Sequence, residues 1–288
     1  MKSKLTMMMA VLLVLVFIVG CSNDKDVSNV EQPKVSTEDK NYEASDELPL
    51  SGRHFVIGVN AECAPYESVD ANGNFVGFDI DFADALSKKL GFTYEWKDME
   101  FFGLIGAVQE KKVDMVISAI SGTQERKERV DFSEGYNYSI TCIISAPGSG
   151  IETVDDLVGK KVGAAVGTNF EALAMGIPGV EVISFDGTVP AVAIVGTKEL
   201  DAIIELSTFG ENYAAPRGLE THVIPKAVVD EIVDDRPLSI AFPKGSDLVP
   251  IFNHAIVELE EQGIMDDIAM EWLGQDYVDK LPIFMGDE

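Results

Sequence analysis

The chain is predicted to be an α/β protein of two similar units, each a mixed, mostly parallel sheet flanked by helices. Three observations predict this. Strand-like and helix-like segments alternate, a second run of them echoes the first, and a C-terminal segment adds a strand and helices that need a home in one unit. Alternation of this kind favours parallel strands, because returning to the same strand direction takes a crossover that is usually helical.

His54 to Asn60 (HFVIGVN) reads as a strand with Phe55, Ile57 and Val59 on one face. Asp79 to Leu90 reads as a helix, with Phe82, Leu86 and Leu90 at i, i+4 and i+8 and Gly91 as its stop. Val113 to Ser118 is the next strand. The second series has a strand at Lys161 to Val166, a helix start at Asn169 to Met175 and a strand at Asp201 to Ile204. Arg53 to Val59 resembles Lys160 to Val166 in its basic start, strand and glycine, and Lys111 to Ile117 resembles Lys198 to Ile204 more closely still. After Arg236 come a strand, a turn at Lys244-Gly245-Ser246 and two helices. Loops at the carboxyl ends of both sets of strands are expected to face one cleft. Asp79 and Asp81, behind Gly77, read as helix-capping residues, and Trp96 and Trp272 as core.

Residues 1–20 read as a secretory signal: Lys2 and Lys4 precede an apolar run from Met7 to Val19 that ends at Gly20. Ile18-Val19-Gly20-Cys21 resembles the bacterial lipobox, whose cysteine becomes the lipid-bearing N-terminus; an uncleaved anchor or a plain signal with a chance cysteine is the alternative. Residues 21–50 are polar and acidic, with Pro33 and Pro49 and almost no large apolar side chains, and read as a flexible tether. Some thirty such residues span roughly 30 Å as a coil. The body of the protein is therefore expected outside the cytoplasm, at a membrane surface.

The formal charge is −27. Such a surface repels phosphate backbones and argues against nucleic-acid binding. His54, His222 and His254 are scattered without metal-ligand spacing, so no metal site and no cofactor is expected. Cys63 and Cys142 stand far apart in sequence, and a disulfide between them is one possibility.

The stretch Ser118 to Tyr136 (SAISGTQERKERVDFSEGY) carries the most chemistry. It places Ser121, Thr123 and Arg126 where a strand gives way to a helix. Free N–H groups, hydroxyls and a guanidinium fork together suit a small carboxylate. For Arg126 the alternative is a surface ion pair with Glu125 or Asp131, and Thr123 reads better as a helix cap than as a ligand contact. Gly167-Thr168-Asn169 also follows a strand and opens a helix, so its N–H groups are expected to point into the cleft; Thr168 serves equally as a plain cap.

Taken in order, a series of short motifs resembles the bacterial extracellular solute-binding proteins of family 3, the amino-acid-binding proteins of ABC importers. They are Ala64-Pro65-Tyr66-Glu67, Gly77-Phe78-Asp79-Ile80-Asp81, Phe102-Gly103-Leu104-Ile105, Lys112-Val113-Asp114, Thr123-Gln124-Glu125-Arg126, Val130-Asp131-Phe132-Ser133, Asp156 to Gly163, Gly167-Thr168 and Asp201-Ala202. The resemblance implies a two-lobed, type II periplasmic-binding-protein-like fold with two crossover hinge strands. The first lobe would comprise residues 51–139 plus 238–288 and the second 140–237. Ligand would close the lobes by a hinge motion.

The same resemblance implies a site. Arg126 and Ser121 would hold the carboxylate of an amino acid, joined from the second lobe by Thr168 and Asn169. The carbonyl of Ala119 would accept from the α-ammonium, and Phe101 would pack on the ligand's side chain. The chain departs from the pattern twice. The family's usual acid falls on Leu206, with Glu205 one residue earlier, so either a bulge returns Glu205 to the cleft or the ammonium partner differs. Cys63 stands where an aromatic residue is frequent. Asn60 and Glu62, where the family reads the ligand's side chain, favour a polar or cationic ligand; for Glu62 a solvated loop carboxylate is the alternative. The implied partners are an amino acid, an ABC permease and its ATPase, and the membrane through Cys21, with the protein a monomer. A cyclohexadienyl dehydratase-like enzyme, using Glu62 or Glu205 as its acid, and a ligand-sensing ectodomain are the competing readings.

Overall fold

The computed structural model describes residues 48–285. The signal segment, Cys21 and most of the tether lie outside the described residues. Leu50, expected in the tether, is buried, and its N–H donates to the Leu90 carbonyl at 2.8 Å.

The first run of elements is β1 (His54–Val59), a small hairpin sheet of β2 (Glu62–Cys63), β3 (Glu67–Val69) and β4 (Phe75–Val76), α1 (Phe78–Leu90), β5 (Thr93–Asp98), α2 (Leu104–Gln109), β6 (Met115–Val116), α3 (Gln124–Arg129) and β7 (Val130–Asn137). The second run is β8 (Thr141–Ser145), β9 (Lys161–Ala165), α4 (Asn169–Gly176), β10 (Glu181–Phe185), β11 (Ala202–Leu206), α5 (Ser207–Phe209), β12 (Glu220–Val223) and α6 (Lys226–Ile232). The chain then returns through β13 (Leu238–Pro243) to α7 (Val249–Glu261), α8 (Ile264–Trp272) and α9 (Gln275–Met285).

Two five-stranded mixed sheets result, ordered β5-β1-β6-β13-β7 and β10-β9-β11-β8-β12. In the first, β1 pairs in parallel with β5 and β6, while β13 is antiparallel to β6 and β7. In the second, β9 is parallel to β10 and β11, and β8 is antiparallel to β11 and β12. The chain passes from the first lobe to the second after β7 and returns before β13, which brings α7 and α8 back against α1. Phe82 on α1 and Phe252 on α7 are fully buried. Phe82 stacks on Tyr136 with 4.4 Å between ring centroids, and Phe252 meets Phe242 edge-on at 5.2 Å. Burying each such ring contributes about 1.5–3 kcal/mol.

Several expectations need adjusting. The strand expected at Val113 to Ser118 pairs only at Met115–Val116, although Val113, Ile117 and Ser118 are buried too. Trp96 and Trp272 pack at the rim of the core, half-buried. Cys63 is half-buried on β2, Cys142 is buried on β8, and both are free thiols.

Asp79 and Asp81 do not cap α1. Gly77 has φ +139°, and a Cβ there would lie 2.2 Å from the Tyr66 carbonyl oxygen. That approach lets the Pro65 and Tyr66 carbonyls accept from the N–H groups of Phe78 (3.0 Å) and Asp79 (2.9 Å), which leaves no vacancy for a side-chain cap. Asp81 accepts instead from Trp272 Nε1 at 2.6 Å, and Asp79 turns inward. No helix among the described residues is long and apolar enough to cross a membrane.

Candidate ligand-binding cleft

One cavity opens between the carboxyl ends of β1 and β6 in the first lobe and of β9 and β11 in the second. Around it stand Asn60, Glu62, Cys63, Phe101, Ala119, Ser121 and Arg126 from one side and Thr168, Asn169 and Glu205 from the other. The sequence singled out each of these ten positions.

Arg126 sits in α3, whose N-cap is Thr123; the Thr123 hydroxyl accepts from Arg126 N at 3.3 Å, so that residue caps rather than lines the cavity. The Arg126 guanidinium lies over the Phe101 ring, 5.5 Å from its centroid. It donates from Nη1 to the Ser121 carbonyl at 2.8 Å and from Nη2 to the Gly167 carbonyl at 2.8 Å. Burial pushes it down to about 10, an effect the Glu125 charge opposes. Asp131, one of its sequence-level alternatives, pairs with Lys244 at 2.8 Å instead. Among the described residues no carboxylate lies within ion-pair range of Arg126. A guanidinium has five donors, so capacity for an anion remains.

Across the cleft, the N–H groups of Gly167-Thr168-Asn169 divide unequally. Gly167 N–H donates to Glu171 Oε2 at 2.7 Å and Thr168 N–H to Ala165 O at 3.4 Å, so neither is free for a ligand. Thr168 caps α4, its hydroxyl accepting from Glu171 N at 3.2 Å. The Asn169 amide Nδ2 is buried without a hydrogen-bond partner in the protein. Asp235, pushed up to about 6 by burial, is the neighbouring carboxyl on that side, but it does not reach Asn169 Nδ2 in hydrogen-bond geometry.

Glu205 reaches the cavity without a bulge: β11 keeps regular antiparallel register with β8, Glu205 opposite Cys142 and Leu206 opposite Thr141. Both Glu205 and Leu206 line the wall, because β11 ends there and the chain turns into α5. Glu205 is 7% exposed; its Oε2 accepts from Thr188 Oγ1 at 2.7 Å and its Oε1 from Leu206 N at 3.0 Å. Burial raises its pKa above the usual carboxylate range. Glu62 is exposed yet aimed at the cavity rim, its Oε2 lying 3.4 Å from where a Cβ on Gly187 would stand. Burial, with Glu67, Glu205 and Asp79 nearby, pushes the Cys63 thiol well up, so it stays protonated.

Sequence reasoning missed Glu67 and Ser118 on the floor and Asp186 and Thr188 on the far wall. Its place in the Ala64-Pro65-Tyr66-Glu67 motif after β1 was the available signal for Glu67. Asp186 and Thr188 sit in a plain loop after β10, which offered none. The walls thus carry Glu62, Glu67, Asp186 and Glu205 against one cation, Arg126.

Residues 55–275 match the family described as bacterial extracellular solute-binding proteins, family 3. The chain belongs to that family. Among curated family 3 relatives, it is 34% identical over 224 residues to the arginine-binding extracellular protein ArtP of Bacillus subtilis, covering 76% of this chain and 86% of that one. It is 30% identical over 225 residues to the L-cystine-binding protein TcyJ of Escherichia coli, covering 77% and 83%. Among solved structures it matches an ancestral arginine-binding protein bound to arginine with TM-score 0.69 and 33% identity, over 77% of this chain and 98% of that one. These neighbours are amino-acid-binding proteins by name, the first of them extracellular, and the two lobes here have the type II plan.

Proposed function

We propose that this family 3 protein is the substrate-binding lipoprotein of an ABC importer. It captures an amino acid with a polar or cationic side chain between its lobes and delivers it to a membrane permease driven by a cytoplasmic ATPase. Residues 51–139 with 238–288 form one jaw and residues 140–237 the other, and Cys21 carries the lipid that holds the protein at the membrane.

The observation that carries this reading is Arg126: a guanidinium pressed between Phe101 and the second lobe, without a carboxylate partner among the described residues. A half-buried cation of this kind, partly stripped of water, is stabilised when an anion completes it. A ligand carboxylate on Arg126, with the Asn169 amide alongside, directs the rest of the ligand toward Glu62, Asp186 and Glu205. The excess of acids favours a ligand that brings net positive charge, and L-arginine is the first candidate. Cys63 leaves room beside it. In the dehydratase-like alternative Glu205 is ill placed as the general acid, since both its oxygens are already engaged, which leaves Glu62 as the acid and turnover of arogenate or prephenate as the test.

Calorimetry on the chain from residue 22 onward, with L-arginine, L-lysine, L-ornithine, L-citrulline and L-cystine, tests the reading. Low-micromolar or tighter binding of one of them, about −8 kcal/mol or better, and its loss in Arg126→Ala are expected. Undiminished binding in that variant would place the site elsewhere. Release of the full chain from membranes by Cys21→Ala tests the anchor.

A further inference from the structure

Beneath the cleft, Glu67 on β3 and Asp79 on α1 are 1% and 0% exposed. Among the described residues neither has a cation in ion-pair range. Two adjacent buried carboxylates cannot both ionise without large cost. Their oxygens are used in a complementary way. Glu67 Oε1 accepts from Ser118 Oγ at 2.9 Å, and that same Oγ accepts from the Asn60 N–H at 2.9 Å. Asp79 Oδ2 accepts from the Ala119 N–H at 2.6 Å and the Tyr136 hydroxyl at 3.0 Å. The two remaining oxygens, Glu67 Oε2 and Asp79 Oδ1, are buried and have no donor. One proton on Glu67, donated to Asp79, satisfies both at once.

We propose that Glu67 and Asp79 share a single proton in the folded protein and act as the positioning pair of the cleft floor, fixing the main chain at Asn60 and Ala119. The relay has one direction: Asn60 N–H to Ser118, Ser118 to Glu67, Glu67 to Asp79, with Ala119 N–H and Tyr136 closing it from the other side. Ala119 needs such a hold, since it sits at φ +41°, a conformation an alanine rarely adopts. Its inverted peptide sets the direction of the carbonyl proposed to receive the ligand ammonium, and only this last step rests on the ligand reading above. The other titratable groups facing the pair are Tyr136 on β7, Tyr66 between β2 and β3, and Cys63 on β2, with Glu205 of β11 beyond Cys63. Burial of all three hydroxyl and thiol groups keeps them neutral. Burial and the Asp79 charge push Glu67 well above its ordinary range; burial also raises Asp79, to about 6, with the donors Ala119 N–H and Tyr136 limiting that rise.

The test uses the ligand-free protein first. Infrared spectra in D2O at neutral pH should show a protonated carboxyl band that Glu67→Gln removes. Glu67→Gln keeps a donor toward Asp79 and an acceptor for Ser118, so amide exchange at Asn60 and Ala119 should stay slow, whereas Glu67→Ala should speed it by about tenfold or more. A protonated-carboxyl intensity that Glu67→Gln leaves undiminished, or exchange equally fast in the Gln and Ala variants, or unchanged in both, would overturn the proposal. Should Glu67→Ala not fold, the Gln variant decides by a second readout, the affinity for L-arginine from neutral to alkaline pH. Wild-type affinity should fall further than that of Glu67→Gln, in which no shared proton can leave; superimposable profiles overturn the proposal. If wild-type protein binds none of the amino acids tested while the band and the exchange behave as stated, the ligand reading fails and the pair stands.

Discussion

Arg126 of the first lobe donates to the main-chain carbonyl of Gly167 in the second, at 2.8 Å. The residue proposed to hold the ligand carboxylate therefore also ties the jaws together. Arg126→Lys keeps the charge but loses the planar fork that reaches the Ser121 and Gly167 carbonyls and an anion together. Affinity for the bound amino acid should drop by about 2 kcal/mol, roughly thirtyfold. Calorimetry measures this, and an unchanged affinity would show that the fork is not used.

Asp235 predicts a pH dependence of stability. Its carboxyl holds a proton up to about pH 6 in the folded chain, against about 3.9 when unfolded. Between those values the folded state binds more protons, so this group's contribution to stability falls as pH rises through the window. Asp235→Asn should be more stable than wild type at neutral pH, by up to about 3 kcal/mol, since the folded value already includes the Lys226 attraction, with the gain vanishing below about pH 4. Urea midpoints across that range check both sign and window.

Cys63 faces the cavity as a thiol surrounded by acids. The thiolate is the reactive form, so alkylation of Cys63 by iodoacetamide, mapped by mass spectrometry, should run at least about tenfold slower in the native than in the denatured protein. Bound amino acid should slow it again. Equal native and denatured rates would mean the thiol is not held as described.

Gly77→Ala should cost about 3 kcal/mol or more, because its Cβ would meet the Tyr66 carbonyl at a backbone angle alanine avoids. A lowered urea midpoint is the expected readout, and a change within about 0.5 kcal/mol would refute the argument.

What the sequence disclosed, and what it hid, follows from the range of the interactions. The α1 stripe of Phe82, Leu86 and Leu90, closed by Gly91, was legible because helix periodicity and stop signals are local. The extent of β6 was not. A buried apolar run looks the same inside and outside a ladder, and the pairing is set by β1 and β13, the latter more than a hundred residues away. Asp79 invited a capping role because an acid in a first helical turn normally suits it. The Pro65 and Tyr66 carbonyls that displaced it meet Gly77 only in three dimensions. Glu205 illustrates the limit of strand alternation: the rule holds within a ladder, and its neighbour Leu206 is the ladder's last residue, where the chain turns so that both face the cavity.

The position of β13 sets an order of construction. It lies between β6 and β7, in the interior of the first sheet, although it is the last strand made. The second sheet is assembled wholly from residues 141–223. A growing chain can thus finish its second lobe while the first, begun earlier, still lacks an inner strand, reversing the usual N-terminal-first sequence. Until β13 arrives, β6 and β7 present unpaired edges of the kind that chaperones and neighbouring chains can seize. A nascent chain halted near residue 230 should resist protease in its later half and yield in its earlier one.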